Sequence, residues 1–189
     1  MLEGVVVFEG KHNGIDILVR HVRRDDVERL QAFINTISQE RSFILFQGEQ
    51  MTLEEESRYV EGFIDKMEKH NAVKLLVFHE EEFIGIADIT MKERAESHIG
   101  VFGIILTKEW RNKGIGTFLM QKTLEEAEKN IPHLTIITLG VFSNNPVAKK
   151  IYEKMGFREH GILPQGIQHR GVLVDHVYMY KIVHKIERG

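Results

Sequence analysis

"WRNKGIGTFLM", residues 110–120, decides how the rest of the chain is read. Gly114 and Gly116 stand one residue apart, just after Arg111 and Lys113 and just before a run typical of helix. Glycine costs conformational entropy on folding, so this placement needs a cause. A helix start leaves main-chain N–H groups unpaired and carries roughly +0.5 of an elementary charge. Glycines let an anion approach that main chain closely, which makes a phosphate the natural occupant. Arg111 and Lys113 add positive field, and Thr117 offers a hydroxyl donor. The plainer alternative is a left-handed turn flanked by solvated cations, and a lone pair of glycines does not choose between the two. Neither named phosphate pattern is present: the P-loop spacing does not occur, and GxGxxG fails because Leu119 stands where its third glycine belongs.

Upstream of the loop, "HIGVFGIIL" (98–106) reads as a strand, within which Gly103 marks either a bulge or a weak spot. "AVKLLVFHEEEFIGIADITM" (72–91) reads as two strands around an acidic turn at residues 80–82. "IDILVRHV" (15–22) alternates as a strand, and "RRDD" then gives an acidic helix start. Val27, Leu30, Ile34 and Ile37 fall on one helical face. A second helix begins at Thr52, where Thr52 and Glu55 match a capping box and Val60, Phe63, Ile64 and Met67 supply the apolar stripe. Its acidic start, "LEEESRY" (53–59), reads as a solvated first turn favoured by the dipole, or as a lure for a basic substrate. "QERSFILFQGE" (39–49) holds Phe43 and Phe46, which either line a pocket or simply pack. Downstream, Ile115, Phe118, Leu119, Met120 and Leu124 make the post-loop helix apolar over a wide arc. "TIITLGV" (135–141) has the near-continuous apolar run of a strand inside a sheet. A short helix over 146–155 and a last strand in "GVLVDHVYMYKIV" complete a mixed α/β (α+β) order.

The chain has 189 residues, of which 42 % are hydrophobic and 28 % charged, enough for one domain with its own core. No Pro-, Gly- or Ser-rich linker interrupts it, so residues 1–189 read as a single domain. There is no cysteine, which excludes disulfides, thiolate metal sites and a cysteine nucleophile. The net charge of −3 does not indicate a nucleic-acid partner. No apolar stretch approaches the ~18 residues of a membrane span. The N-terminus does not read as a signal peptide. These features together suggest a cytoplasmic protein. The ten histidines are scattered, with no HExxH pattern, and no metal is assigned.

A second motif follows the next strand. "NNPVAKKIYEKMGF" (144–157) has Asn145 as a good N-cap, Pro146 at the first helical position and Gly156 at the C-terminal end. Asn145 and Tyr152 lie seven positions apart, hence on nearly one helical face. Taken with the glycine loop, this segment resembles the GNAT superfamily of N-acetyltransferases. Members carry R/Q-x-x-G-x-G/A between a strand and a helix, here Arg111, Asn112, Lys113, Gly114, Ile115 and Gly116. They often carry N-x-x-A-x-x-L-Y-E-K-x-G-F after the next strand. Here Asn145, Ala148, Ile151, Tyr152, Glu153, Lys154, Gly156 and Phe157 stand in register, with Ile151 the one change.

The resemblance implies a mostly antiparallel sheet flanked by helices, with a splayed strand pair that holds acetyl-CoA; its core covers residues 98–157. It implies that the main chain from Asn112 to Thr117 (Asn112, Lys113, Gly114, Ile115, Gly116, Thr117) binds the diphosphate beside Arg111. The pantetheine arm would run along the backbone of Ile104, Ile105 and Leu106, like a strand added to an edge. Tyr152 becomes the candidate general acid for the leaving thiolate, and Asn145 would orient the cofactor arm. The acceptor is a primary amine, either a small molecule or a protein N-terminus or lysine. Such an amine, with a pKa near ~10.4, needs a base or desolvation before it can attack. Ribosomal-protein N-terminal acetyltransferases in this superfamily place a glutamate five residues before the asparagine; here that position is Gly140. The base is therefore open among His98, Glu96, Asp88 and a water relay. A non-catalytic acyl-CoA sensor or partner-binding module is the alternative reading. Homodimers are common in the family, but nothing in this sequence requires one.

Overall fold

Two residues of positive φ, Asn13 (51°) and Gly14 (80°), close a tight hairpin between β1 (Val6–His12) and β2 (Ile15–His21). Asn-Gly is the pair that a two-residue hairpin of this twist favours. A 3-10 turn at Arg24–Asp26 leads into α1 (Val27–Gln39), and α2 (Leu53–Glu68) follows. The Thr52 hydroxyl accepts from the Glu55 N–H at 3.2 Å, and the Glu55 carboxylate accepts from the Thr52 N–H at 2.9 Å. This is the capping box expected from sequence. Next come β3 (Ala72–His79), β4 (Glu82–Met91), β5 (Ile99–Leu106), α3 (Ile115–Asn130), β6 (Ile136–Phe142), α4 (Pro146–Lys154), β7 (Arg158–His169) and β8 (Val172–Ile182). The computed structural model describes residues 2–184.

The strands form one eight-stranded sheet in the order β1-β2-β3-β4-β5-β6-β8-β7. Every neighbouring pair is antiparallel except β5–β6. The fold is thus the expected mixed, mostly antiparallel sheet flanked by helices. β3 lies deep within it, and its alternation feeds two cores. Val73, Leu75 and Val77 face the layer of α3 and α4, with Ile115, Leu119, Met120 and Leu124. Ala72, Leu76 and Phe78 face α1 and α2, with Leu30, Phe33, Val60, Phe63 and Ile64. A strand buried on both faces reads as an apolar run, which is why Lys74 within it is conspicuous.

Two sequence expectations need correction. Gly103 is not a bulge, because β4 and β5 stay in unbroken register from Gly85↔Leu106 to Met91↔Gly100. The first turn of α2 is not wholly solvated, because Glu56 turns into the protein with 5 % of its surface exposed. Two strands also went unread. β1 hides behind a short apolar run. β7 contains Gly161, Pro164 and Gly166 and shifts register twice along β8. Proline is tolerated there because β7 is the edge of the sheet.

Candidate functional site

β5 and β6 run side by side for only three residue pairs, Ile99↔Ile136, Gly100↔Ile137 and Val101↔Thr138, and then part. On its other side β5 is fully paired. Lys92 N–H donates to Ile99 O at 2.8 Å, and Thr107 N–H donates to Ile84 O at 3.0 Å. In an antiparallel ladder this phase alternates, so residues 99, 101, 103, 105 and 107 bond to β4. The main-chain groups of Ile104 and Leu106 therefore face the gap left by β6. The Leu106 carbonyl is met there by the Arg111 Nε–H at 2.9 Å. Ile104 and Leu106 thus present a short open strand edge. The main chain of Ile105 is turned to β4, and its side chain packs on the α1–α2 face, so the residue borders both cavities without offering main-chain groups to the gap.

The glycine loop stands at the end of that edge. Asn112 (φ 61°) and Gly114 (φ 82°) are both left-handed, and Gly114 is the N-cap of α3. A side chain at 114 would be strained by that φ and would meet the Asn13 amide, 2.5 Å from where its Cβ would sit. Asn13 in turn donates to the Lys113 carbonyl at 3.3 Å, so the β1–β2 hairpin braces the loop. The first helical bond runs from Phe118 N–H to Gly114 O. Among the described residues, the N–H groups of Asn112, Lys113, Gly114, Ile115, Gly116 and Thr117 donate to no protein acceptor. Successive unpaired amides at a helix start are a seat for phosphate oxygens.

The side chains of the motif divide their roles. Ile115 is buried in the core. The Lys113 ammonium lies over the Trp110 ring at 4.4 Å. The Arg111 guanidinium also bonds Glu40 at 2.7 Å, tying α1 to the loop. Gly114, Gly116 and Thr117, with Ile104, Asn145 and Tyr152, line a cavity of about 390 Å³ on the α3–α4 side of the sheet. The Asn145 Oδ1 caps α4 by accepting from the Ala148 N–H at 3.2 Å. Tyr152 packs between Phe102 and Phe157, with ring centroids 6.3 and 6.2 Å away. Burial pushes its phenol pKa up to about 12.

A second cavity, about 220 Å³, opens on the α1–α2 side. It shares Ile104 and Ile105 with the first. Leu30, Phe33, Phe46 and Met51 make its walls apolar, while Glu56, Lys74 and Asp88 bring charge to it. The Lys74 Nζ donates to the Tyr59 hydroxyl at 2.8 Å and to Asp88 at 3.0 Å. Burial pulls the Lys74 pKa down, but the Asp88 charge and Tyr59 carry it above the ordinary lysine value. Phe46 lines this second cavity and Phe43 the first.

The base candidates scatter. Glu96 is exposed and pairs with Lys92 at 2.7 Å. His98 precedes the start of β5, whereas the open edge is at its end; at ~3.3 Å per residue they lie roughly 20 Å apart. Asp88 alone reaches a cavity, and it is held by Lys74. At Gly140 a side chain would collide with the His176 imidazole, which fills that space from β8. Sequence reasoning missed Lys74 and Glu56. The signal for Glu56 was its spacing of four, seven and eight from Val60, Phe63 and Ile64, which puts it on the buried stripe.

Comparison with known proteins agrees with this arrangement. The L-amino acid N-acetyltransferase AaaT of Escherichia coli (strain K12) is 31 % identical over 102 residues, 53 % of this chain and 62 % of that protein. The match thus spans less than two thirds of that relative's length. The structure of an acetyltransferase of the GNAT family from Streptococcus pneumoniae superposes with a TM-score of 0.81 at 29 % identity, covering 88 % of this chain and 99 % of that one. The fold is also shared with yncA, a putative acetyltransferase from Salmonella typhimurium solved with its cofactor acetyl-CoA. There the TM-score is 0.79 at 14 % identity, over 92 % of this chain and 97 % of that one. A family model, "Acetyltransferase (GNAT) family", matches residues 34–157. On that match, which takes in the glycine loop, the splayed strands and the Asn145–Tyr152 helix, the chain belongs to the GNAT acetyltransferase family.

Proposed function

We propose that this protein transfers the acetyl group of acetyl-CoA to a primary amine, by direct attack with both partners bound. The observation that carries the reading is the run of unpartnered amides from Asn112 to Thr117 at the end of an open strand edge. That edge leads into a largely apolar cavity, and the combination suits a molecule with a diphosphate head and an amide-bearing arm. The residues we assign to holding it are Arg111 and Asn112 to Thr117 for the diphosphate, Ile104 to Leu106 for the arm, and Asn145. When bound, acetyl-CoA supplies a thioester carbonyl open to attack by an amine.

The chain's own groups do the rest. The N–H groups of Ile104 and Leu106 face the gap without a strand partner, suited to hydrogen-bond a carbonyl oxygen as it gains charge. The Tyr152 phenol, raised to about 12, is fully protonated at neutral pH, the form a donor to a departing sulfur needs. Complete transfer from such a phenol to a thiolate of ordinary pKa, ~8.5, is uphill, so its proton moves only as charge builds on sulfur. AaaT, by its name, acts on L-amino acids, which supports a free primary amine as the acceptor. We read residues 1–189 as one domain, supported by the single sheet, and place it in the cytoplasm on its cysteine-free sequence. Among the described residues no helix is long and apolar enough to cross a membrane.

Acetyl-CoA binding by calorimetry and thiol release over a panel of primary amines test the reading. We expect saturable binding and amine-dependent thiol release. Binding with no release above background for any amine would leave a sensor of acyl-CoA instead of an enzyme.

A further inference from the structure

The second cavity holds a carboxylate that the fold leaves uncompensated. Glu56 is 5 % exposed, yet among the described residues its carboxylate has no hydrogen-bond or ion-pair partner. Its neighbours in the acidic run are spoken for: Glu55 caps α2, and Glu54 reaches Arg58 at 4.0 Å. Its oxygens are not sealed in the core but open into the cavity, where an acid held without a partner ion is available to a ligand or a reaction. Around it, β3 brings Lys74, β4 brings Asp88, and α2 itself brings Tyr59, while α1 brings only Leu30, Phe33 and Ile34. Lys74 and Asp88 neutralise each other at 3.0 Å, so the cavity carries one negative charge in excess. Burial pushes the Glu56 pKa up, with the Lys74 charge opposing. The opposite wall of the same cavity is Gly103, Ile104 and Ile105, the strand that borders the first cavity.

Resting on the acetyl-transfer reading above, we infer that Glu56 seats the ammonium of the acceptor and takes its proton, and that the acceptor is a small primary amine with an apolar body. The cationic head meets the one unpaired carboxylate, and the body meets Leu30, Phe33, Phe46 and Met51. A polyamine has no second unpaired acid to meet in this cavity. The protons balance. An ammonium, R–NH3⁺, gives one proton to the Glu56 carboxylate. The freed lone pair forms the N–C bond while the C–S bond breaks, its electron pair going to sulfur. The nitrogen sheds its second proton as the amide forms. One of the two protons ends on the thiol and the other leaves Glu56 for solvent. Glu56 is then a catalytic residue, in direct contact with substrate.

The test uses the whole chain with 2-phenylethylamine, isoamylamine and spermidine as acceptors, comparing wild type with Glu56→Gln and Glu56→Asp. Acetyl-CoA affinity is measured beside turnover, and thermal unfolding shows that each variant folds. Glu56→Gln is nearly isosteric and should fold about as stably, since the carboxylate makes no hydrogen bond or ion pair within the described residues that the amide would lose. It should keep acetyl-CoA affinity within about twofold yet lose roughly 10²–10⁴ in kcat/KM for both apolar amines, together with the acidic limb of the pH profile. Glu56→Asp should retain part of that limb, and wild type should favour the apolar amines over spermidine at least about tenfold. Turnover by Glu56→Gln within threefold of wild type, with the acidic limb intact, overturns the role of Glu56. A preference for spermidine overturns the substrate class. Loss of acetyl-CoA affinity in step with turnover overturns a role confined to the amine. Failure of wild type to bind acetyl-CoA, by contrast, sinks the underlying reading itself and the inference with it.

Discussion

The two cavities that meet at Ile104 and Ile105 are built by opposite means. On the α3–α4 side the polar groups include a contiguous run of unpaired main-chain amides over 112–117 beside the side chains of Arg111, Thr117, Asn145 and Tyr152. On the α1–α2 side the polar groups are side chains from three separate elements, α2, β3 and β4. A site made of backbone needs residues that permit the backbone, and these are neighbours in sequence. A site made of side chains needs only the right fold, and its members can stand anywhere. The first kind is readable from a short motif, whereas the second is not.

Gly116 is the position where a site built from main chain is most vulnerable. A valine there would crowd Leu106 Cδ1, already 3.3 Å from a Cβ at that position, and would stand over the amides. Losing two hydrogen bonds to a charged group, each about 1.5–3 kcal/mol, should weaken acetyl-CoA binding at least about 100-fold. Thr117→Ala, which leaves the main chain alone, should cost only a few-fold in the same titration. If the two variants fall equally, the cavity is not built from backbone.

Tyr152 is the side chain on that side with a proposed chemical role. Tyr152→Phe should lower kcat roughly 100-fold while acetyl-CoA affinity stays nearly constant. Equal single-turnover rates for variant and wild type would remove the hydroxyl from the chemistry.

A smaller effect lies where α3 packs on β2. The His21 Nε2–H on β2 donates to Glu126 on α3 at 2.9 Å, and its Nδ1 is buried without a partner. Burial holds the His21 pKa below its ordinary value, with Glu126 opposing. Below about pH 6.5 the unfolded chain binds a proton that the folded chain refuses. Stability therefore falls as pH drops from there toward the folded pKa, by up to about 1.4 kcal/mol per pH unit. His176, also lowered by burial, adds to that slope. Urea midpoints at pH 7, 6 and 5 should decline less steeply for His21→Gln than for wild type. Parallel declines would show that His21 titrates alike in both states.

The smallest effect belongs to Gly103. It has open space beside it and sits in unbroken register, so Gly103→Ala should change unfolding free energy by less than about 1 kcal/mol. Because Gly103 also lines the second cavity, the added methyl should raise the KM of the amine while leaving that of acetyl-CoA unchanged. A rise confined to acetyl-CoA would mean that the two cavities have been assigned to the wrong ligands.

Much of the fold was legible because periodicity and caps are local. The α2 box at Thr52 and Glu55, the strands on either side of residues 80–82 and the apolar arc of α3 all follow from spacing alone. β7 was not legible, because Pro164 and its glycines carry the marks of a loop and only its place at the sheet edge makes them tolerable. The hairpin at Asn13 and Gly14 was readable in principle, but its role as a brace for Gly114 was not, since the two lie about 100 residues apart.

By itself the sequence determined the glycine loop, the helix after it and the Asn145–Tyr152 face, because a left-handed cap, a helix start and a seven-residue helical spacing are properties of contiguous chain. The tertiary structure alone decided that β6 leaves β5 after Thr138, that His176 fills the space at Gly140, and that Glu56 remains an unpaired acid facing Lys74 and Asp88. These depend on which strands and helices become neighbours, and the energy of a buried charge is set by those neighbours and not by the residues beside it in the chain.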